Sequence, residues 1–194
     1  MKKKTVVVHS GGMDSSLCLA LAIEQEGVEN VLALSFTYGQ RHSKEIDHAK
    51  AICKEWNVDH TTVNIECLNT VTDNALLNPD IDIEHKRGKS PNTLVVGRNG
   101  LMARVAAIHA EHIGAESIFM GVIEVEEANS GYRDCSRKYM DIIQAALRFD
   151  FDNPQFEIKT PVVFMSKKQT MELGYNMGIL HYLVESTLSC YEGI

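Results

Sequence analysis

The residues best suited to chemistry form the run SGGMDS at positions 10–15, directly after a β-branched segment and directly before a helix-forming one. Its two glycines allow a tight turn and the close approach of an anion. The N–H groups at a helix start, together with the positive end of the helix dipole, bind phosphate. The two serines can add hydroxyl donors, and Asp14 can act as an Mg²⁺ ligand or a helix cap. The run predicts a phosphate-binding turn, with an ordinary capped strand-to-helix turn as the alternative.

Two other phosphate-binding patterns are absent from the sequence. No GxxxxGK[ST] occurs, because no lysine follows these glycines, and no GxGxxG follows a predicted strand. SGGMDS instead resembles the PP-loop of the ATP pyrophosphatases. That resemblance implies a loop that holds the β,γ-pyrophosphate of ATP while AMP is transferred, with release of pyrophosphate.

Alternating strand-like and helix-like segments must position this run. Strands are predicted at residues 5–9, 31–36, 60–65, 117–122 and 156–160, and helices at 15–26, 43–56, 99–113, 136–149 and 166–177. This order predicts an α/β fold with a doubly wound parallel sheet flanked by helices, as one domain over residues 1–194. The PP-loop resemblance makes it Rossmann-like, of the adenine nucleotide alpha hydrolase type. Ligands of such sheets bind at the carboxyl ends of the strands, where the SGGMDS run falls.

Composition restricts the classes of function. The chain has 194 residues and a formal net charge of −7, from 26 acidic and 19 basic residues, which argues against a protein that coats nucleic acid. The longest apolar run, residues 17–23, is far shorter than the ~20 residues of a membrane span. No signal peptide is expected. Five scattered cysteines without a CxxC pair predict free thiols in a reducing compartment. We therefore expect a soluble cytoplasmic protein.

Further segments narrow the resemblance. They are TYGQRH at 37–42, PNT at 91–93, VGRN at 96–99, GV at 121–122, SGYRDC at 130–135, TP at 160–161, SKK at 166–168 and TLSCYEGI at 187–194. Together with SGGMDS they resemble the 7-cyano-7-deazaguanine synthase (QueC) family of queuosine and archaeosine biosynthesis, over essentially the whole chain. The resemblance implies an ATP-dependent carbon–nitrogen ligase, a homodimer, and 7-carboxy-7-deazaguanine and ammonia as substrates. ATP adenylates the carboxylate, ammonia displaces AMP to give an amide, and a second ATP activates the amide so that the nitrile forms.

The resemblance also carries roles onto individual positions. Its catalytic positions are Asp14, Arg98, which can clamp phosphate or carboxylate, and Lys167, which offsets the charge of the departing pyrophosphate. Implied ATP-binding positions are Val8, His9, Ser10, Gly11, Gly12, Met13, Asp14, Ser15, Ser16, Leu17, Cys18 and Gly121. Implied substrate-binding positions are Tyr38, Gln40, Arg41, Arg98, Asn99, Tyr132 and Asp134, the last accepting hydrogen bonds from the deazaguanine ring. Ordinary surface or core roles remain alternatives for Gln40, Arg41, Arg98 and Tyr132.

The sequence departs from the family pattern in two places. The family's zinc site uses the cysteine of TCYxG and a following CxxCxxC, whereas here Cys190 falls in SCYEG and the sequence stops at Ile194. Structural zinc needs four ligands, so residues 178–194 are predicted to begin a C-terminal zinc-binding segment whose other ligands lie outside this chain. A protein without the metal is the alternative. An acidic insertion precedes Ser130, and Arg133 stands where the family has proline.

Other side chains favour structural roles. Cys18 and Cys53 lie at apolar helical positions and are expected to be buried. His109 and His112 form a possible metal pair, but no third ligand lies nearby in the sequence. The acidic run Glu124, Glu126 and Glu127 could bind Mg²⁺ or simply face solvent. Two other functions remain open: a different PP-loop amidating or tRNA-modifying enzyme, and a non-catalytic, nucleotide-binding QueC-like subunit.

Overall fold

A parallel five-stranded sheet forms the centre of the described part of the chain, which comprises residues 3–38, 43–72, 95–125 and 132–187 of a computed structural model. Its strands lie in the order β3-β2-β1-β4-β5. Thr5 of β1 pairs with Val31 of β2 on one side and with Ser117 of β4 on the other. The strands are β1 (Thr5–Val8), β2 (Val31–Thr37), β3 (Asp59–Asn64), β4 (Ser117–Met120) and β5 (Glu157–Lys159).

Six α-helices lie in the described residues. They are α1 (Met13–Glu26), α2 (Ser43–Glu55), α3 (Arg98–Ile113), α4 (Arg137–Asp150), α5 (Lys167–Asn176) and α6 (Leu180–Ser186). Single 3₁₀ turns occur at Val28–Asn30, Glu66–Thr70 and Arg133–Cys135. None of these helices is both long enough and apolar enough to cross a membrane.

Side chains of β1 alternate between two hydrophobic cores. Val6 packs in one core with Leu147 of α4, and Val7 packs in the other with Leu19 of α1 and Ile52 of α2. All five side chains are fully buried. Helices therefore cover both faces of the sheet, as the sequence predicts for a strand buried on both sides.

Helix α3 lies close against the sheet because its inner face is built from alanines. Alanine has the highest helix propensity, and its small side chain lets the two backbones approach. The helix ends at Gly114, whose φ of +73° suits a glycine and whose N–H bonds to the carbonyl of Ala110. The inner-face alanines, all with no exposed surface, are Ala103, Ala106, Ala107 and Ala110.

Short elements differ from the sequence-based prediction. α6 (Leu180–Ser186) lies inside the segment 178–194 for which no helix was predicted, because seven residues are too few for a helical period to stand out. The strand predicted at 117–122 ends at Met120, so Gly121 lies beyond the sheet edge. α1 begins at Met13, two residues before its predicted start.

Candidate active site

A cavity of about 450 Å³ lies beyond the carboxyl ends of β1, β2 and β4. This is the point where the strand order changes direction, because β2 and β4 flank β1 on opposite sides. The cavity is lined by Val8, His9, Ser10, Gly12, Met13, Asp14, Ser15, Phe36, Tyr38, Glu45, Ile46, Arg98, Asn99, Met102, Met120, Gly121, Val122, Ile123, Tyr132, Cys135 and Lys167.

Two glycines allow the turn between β1 and α1 to fit its neighbours. Gly11 has a φ of +83°, and a Cβ there would lie 2.4 Å from the carbonyl oxygen of Glu45 in α2. At Gly121 a Cβ would lie 2.9 Å from the Cα of Ser15. Any side chain at either position would push α2 or the end of β4 away from the turn.

Among the described residues, no side chain accepts from the first N–H groups of α1; serine hydroxyls instead donate to the backbone carbonyl of Gly12. The N-cap residue is Gly12, so neither Asp14 nor Ser15 caps the helix and the ordinary capped turn is wrong. Ser15 Oγ donates to the carbonyl of Gly12 at 2.9 Å and lies 3.1 Å from Ser10 Oγ. With no side-chain acceptor at the cap, the first N–H groups of α1 are directed toward the cavity, as an anion site requires.

Asp14 and Lys167 meet at the mouth of this turn. Lys167 Nζ lies 3.4 Å from both carboxylate oxygens of Asp14, and the lysine side chain is 53% exposed. Ser166 and Gln169 form a capping box that begins α5 at Lys167. An ion pair this exposed adds at most about 1 kcal/mol to stability. Its importance is that it brings an ammonium group to the phosphate turn.

Arg98 is buried, so the interpretation as a surface arginine is wrong. Only 8% of the residue is exposed. Its guanidinium carbon lies 5.6 Å from the centre of the Tyr38 ring, and Nη1 donates to the Tyr38 hydroxyl at 3.4 Å. The cation–π contact with the ring and the bond to its hydroxyl hold the guanidinium in place, so its N–H fork presents a fixed geometry to an anion.

Asp134 is a buried carboxylate next to two residues that line the cavity, Asn99 and Cys135. Its Oδ2 accepts from the backbone N–H of Asn99 at 3.0 Å, whereas its buried Oδ1 has no hydrogen-bond partner among the described residues. Asn99 Nδ2 also donates to Cys135 Sγ at 3.3 Å. Burial and the nearby Asp134 charge raise the pKa of Cys135 to about 12, so this thiol stays protonated. An unsatisfied buried carboxylate oxygen is costly for the free protein and is typical of a ligand-binding group.

Most of the predicted site residues line one cavity. Gly11, Ser16, Leu17, Cys18 and Asp134 do not line it, and both Leu17 and Cys18 have no exposed surface. The burial predicted for Cys18 and Cys53 is confirmed. Gln40, Arg41 and Cys190 lie outside the described residues.

Two predicted metal-binding alternatives find no support in the described residues. Glu124 Oε2 accepts at 2.9 Å from the backbone N–H of Arg137, which starts α4, while Glu126 and Glu127 lie outside the described residues. The rings of His109 and His112 are 6.4 Å apart. Within the described ranges, no three or more His, Cys, Asp or Glu side chains cluster as a metal site would require.

Sequence reasoning missed Glu45 and Cys135 as cavity residues. Glu45 stands in the first turn of α2 and adds a second carboxylate to the lining beside Asp14. Only its position in the sequence could have indicated this, because residues that follow a strand next to β1 lie near the ligand-binding edge of the sheet. Cys135 follows Asp134 directly and was singled out only as a thiol.

Solved structures share the fold at low sequence identity. NMN synthetase from Francisella tularensis matches with a TM-score of 0.54 and 16% identity, over 97% of this chain and 67% of that one. NH3-dependent NAD synthetase from Campylobacter jejuni subsp. jejuni NCTC 11168 matches with a TM-score of 0.57 and 14% identity, over 95% and 68%. The U34-tRNA thiolase NcsA from Methanococcus maripaludis matches with a TM-score of 0.57 and 15% identity, over 91% of this chain and 57% of that one.

The five-stranded parallel sheet and its flanking helices thus have the fold of adenine nucleotide alpha hydrolase-like structures. Residues 4–194 match the family of queuosine biosynthesis protein QueC, and the chain belongs to that family. Family and fold together indicate an ATP-dependent enzyme that acts on a small molecule.

Proposed function

We propose that this protein is an ATP-dependent ligase that converts 7-carboxy-7-deazaguanine and ammonia to 7-cyano-7-deazaguanine. The observation that carries the proposal is that one cavity joins the phosphate turn, Lys167 and Arg98, with the orphaned carboxylate oxygen of Asp134 beside it. The lining offers donors for phosphate, and Asp134, next to the lining residue Cys135, would supply an acceptor for a guanine-like ring. Family membership supports the choice of substrate.

The nucleotide end is formed by the turn after β1. The N–H groups of α1 and the hydroxyl of Ser10 would hold the pyrophosphate, and the ammonium of Lys167 would offset its charge as it departs. Mg²⁺ fits here, because it is usually bound through one or two carboxylates and substrate phosphates, and Asp14 supplies a carboxylate at the turn. Bound Mg²⁺ would neutralise phosphate charge.

The base end is formed by residues of α3 and the turn before α4. Asp134 Oδ1 would accept from the ring N–H and the exocyclic amine, and Tyr132 would stack on the ring. Arg98 would hold the carboxylate group, and the amide of Asn99 would assist it. The roles of Gln40 and Arg41 in this site stay predictions.

The reaction needs positioning more than a protein nucleophile. A carboxylate oxygen attacks the α-phosphorus of ATP, and the bond to pyrophosphate breaks. Ammonia then displaces AMP and loses a proton, which leaves an amide. A second ATP activates the amide oxygen, and loss of AMP with the two amide protons leaves the nitrile. Holding the reactants in one cavity and neutralising phosphate charge would be the main contributions of the protein to such steps.

Three further expectations stay proposals. Zinc binding rests on Cys190, the predicted segment at 178–194 and ligands outside this chain. The homodimer and the cytoplasmic location rest on the family resemblance and on composition. None of them is needed for the chemistry assigned to the cavity.

Turnover with mass detection tests the proposal. The full chain is incubated with ATP, Mg²⁺, ammonium and 7-carboxy-7-deazaguanine, and nitrile, AMP and pyrophosphate are expected. Asp14→Ala should abolish turnover, and Lys167→Ala should lower kcat by at least about 100-fold, the scale of losing one transition-state charge contact. Lys168→Ala is the matched control, because Lys168 is adjacent, 84% exposed and paired with Glu172 in α5.

Other products would point to other functions. A reaction that stops at the amide would indicate another amidating PP-loop enzyme. Nucleotide binding without any turnover would contradict the ligase and favour a non-catalytic subunit.

A further inference from the structure

A chain of buried polar side chains lies behind the phosphate turn. Cys53 of α2 approaches His9, the residue after β1, with Sγ 3.6 Å from Nδ1. His9 Nε2 lies 3.0 Å from Ser16 Oγ in α1, and Ser16 Oγ donates to the carbonyl of Gly12 at 2.9 Å. His9 and Ser16 have no exposed surface and Cys53 has 1%. The chain thus links α2, β1 and α1 to the peptide that begins the phosphate site.

The hydrogens of this chain have one consistent direction. A carbonyl can only accept, so the single hydroxyl hydrogen of Ser16 goes to Gly12. Ser16 Oγ must then accept from His9, which places the ring proton on Nε2. The unprotonated Nδ1 is left to accept from the Cys53 thiol. In this arrangement Cys53, His9, Ser16 and the Gly12 carbonyl each have a hydrogen-bond partner.

The surroundings keep the His9 ring and the Cys53 thiol in the protonation states that these hydrogen bonds require. Burial, with a smaller contribution from His60, lowers the pKa of His9 to about 3, so the ring is neutral. Burial raises the pKa of Cys53 to about 12, so the thiol keeps its hydrogen. Ser35 Oγ donates to the His9 carbonyl and lies 2.8 Å from His60 Nε2, which fixes the backbone of His9 as well as its ring.

The Gly12 carbonyl controls a donor of the phosphate site. Within a planar trans peptide the C=O and the following N–H point in opposite directions. Ser15, Ser16 and the backbone N–H of Ser16 all donate to this carbonyl, at 2.9–3.0 Å, and hold it along α1. The N–H of Met13 is therefore directed out of the helix start, toward the cavity that Met13 lines.

We propose that His9 is a positioning residue for the nucleotide: through Ser16 it fixes the Gly12–Met13 peptide and so aims the donors of the phosphate turn. This inference rests on the proposed function only in taking a nucleotide phosphate as the ligand of the turn. His9 does not touch the reacting atoms and exchanges no proton during turnover.

A matched pair of substitutions tests the role of the Nε2 donor. Glutamine places its amide nitrogen near the position of the imidazole Nε2, whereas asparagine reaches only to that of Nδ1. His9→Asn is expected to raise the KM for ATP about tenfold, the scale of one buried hydrogen bond, with little change in the KM for 7-carboxy-7-deazaguanine. His9→Gln should return the KM for ATP to within about threefold of the natural protein. Equal KM changes for both substrates, or no rescue by glutamine, would overturn the inference.

Two further measurements keep the inference testable if turnover is absent or a variant fails to fold. ATP affinities measured by calorimetry should follow the same order as the KM values, with His9→Asn weaker than His9→Gln and the natural protein, even if the ligase proposal fails. Identical affinities would overturn the inference. ¹⁵N-detected NMR of the natural protein should show His9 as the neutral Nε2–H tautomer from pH 5 to pH 8. A proton on Nδ1 would contradict the proposed directions of these hydrogen bonds.

Discussion

Replacing Asp134 by asparagine is expected to stabilise the free protein and to weaken substrate binding. Asp134 is only 6% exposed, and within the part of the chain that the structure describes its Oδ1 has no hydrogen-bond partner. A buried charged oxygen without a partner is unfavourable until a ligand supplies donors. Asparagine keeps one acceptor for the backbone N–H of Asn99 and removes the charge. It also presents an N–H₂ group where a guanine-like ring presents its own donors.

The size of each effect follows from these contacts. An unsatisfied buried polar group costs about 1–3 kcal/mol. The N–H₂ group of the new asparagine is itself unpaired, so the substitution removes only part of this cost. The expected gain in the free energy of unfolding is about 1 kcal/mol, or about 2–4 °C in Tm for a chain of this length. Hydrogen bonds to charged groups contribute about 1.5–3 kcal/mol each, so losing one should raise the KM for 7-carboxy-7-deazaguanine by at least about tenfold. The KM for ATP should not change.

Thermal unfolding without ligand and steady-state kinetics measure the two effects on the same preparation. Asp150→Asn is the matched control, because Asp150 is a half-exposed carboxylate paired with Arg104 and lies outside the cavity. That control should change neither KM. A lower Tm together with unchanged KM values for Asp134→Asn would refute the reasoning and leave Asp134 as a structural residue.

Three other predictions follow from single contacts. Gly11→Ala should lower the free energy of unfolding by about 2 kcal/mol more than Gly178→Ala in urea, since both glycines have positive φ but only Gly11 faces a backbone clash; equal losses would contradict this. The pKa of His9 is 6.5 in the unfolded chain and about 3 in the folded protein. The stability that its neutral ring contributes is therefore fully present above pH 6.5 and is lost as the pH falls toward 3. Between pH 7 and pH 5 the natural protein should lose about 2 kcal/mol more than His9→Gln, measured by denaturant titration. Arg98→Lys should lower kcat/KM for the deazaguanine by at least about tenfold because the planar fork is lost, whereas Tyr38→Phe, which keeps the ring under the guanidinium, should lower it less.

Patterns that extend along a whole element were sufficient to predict most of the fold. The β-branched run before SGGMDS predicted β1 to within one residue, and Gly27 correctly marked the end of α1. The start of α1 was predicted two residues too late because Met13 and Asp14 were assigned to the phosphate-binding turn before the helix. α6 (Leu180–Ser186) was missed because it is short and follows the glycine that stops α5.

The site was predictable by residue type but not by geometry. Asp14 and Lys167 are 153 positions apart, and no local period brings them to 3.4 Å. The burial of Arg98 over Tyr38 and the orphaned oxygen of Asp134 depend on the packing of α3 against the turn before α4. Glu45 carried a positional signal only, since it follows the strand next to β1. The catalytic and binding roles of all these residues stay predictions.

The strand order explains why so few charges are sufficient for an anionic ligand. β1 lies between β2 and β4, so the segments that follow these three strands converge, with neighbouring strands about 4.8 Å apart. Among the described residues, the lining contains two cations, Arg98 and Lys167, and two carboxylates, Asp14 and Glu45, so these side chains sum to zero while the whole chain carries −7. The positive end of α1 then gives the cavity a net attraction for phosphate. Because charges beyond about 10 Å are screened at 0.1 M salt, this local arrangement and not the net charge decides what binds.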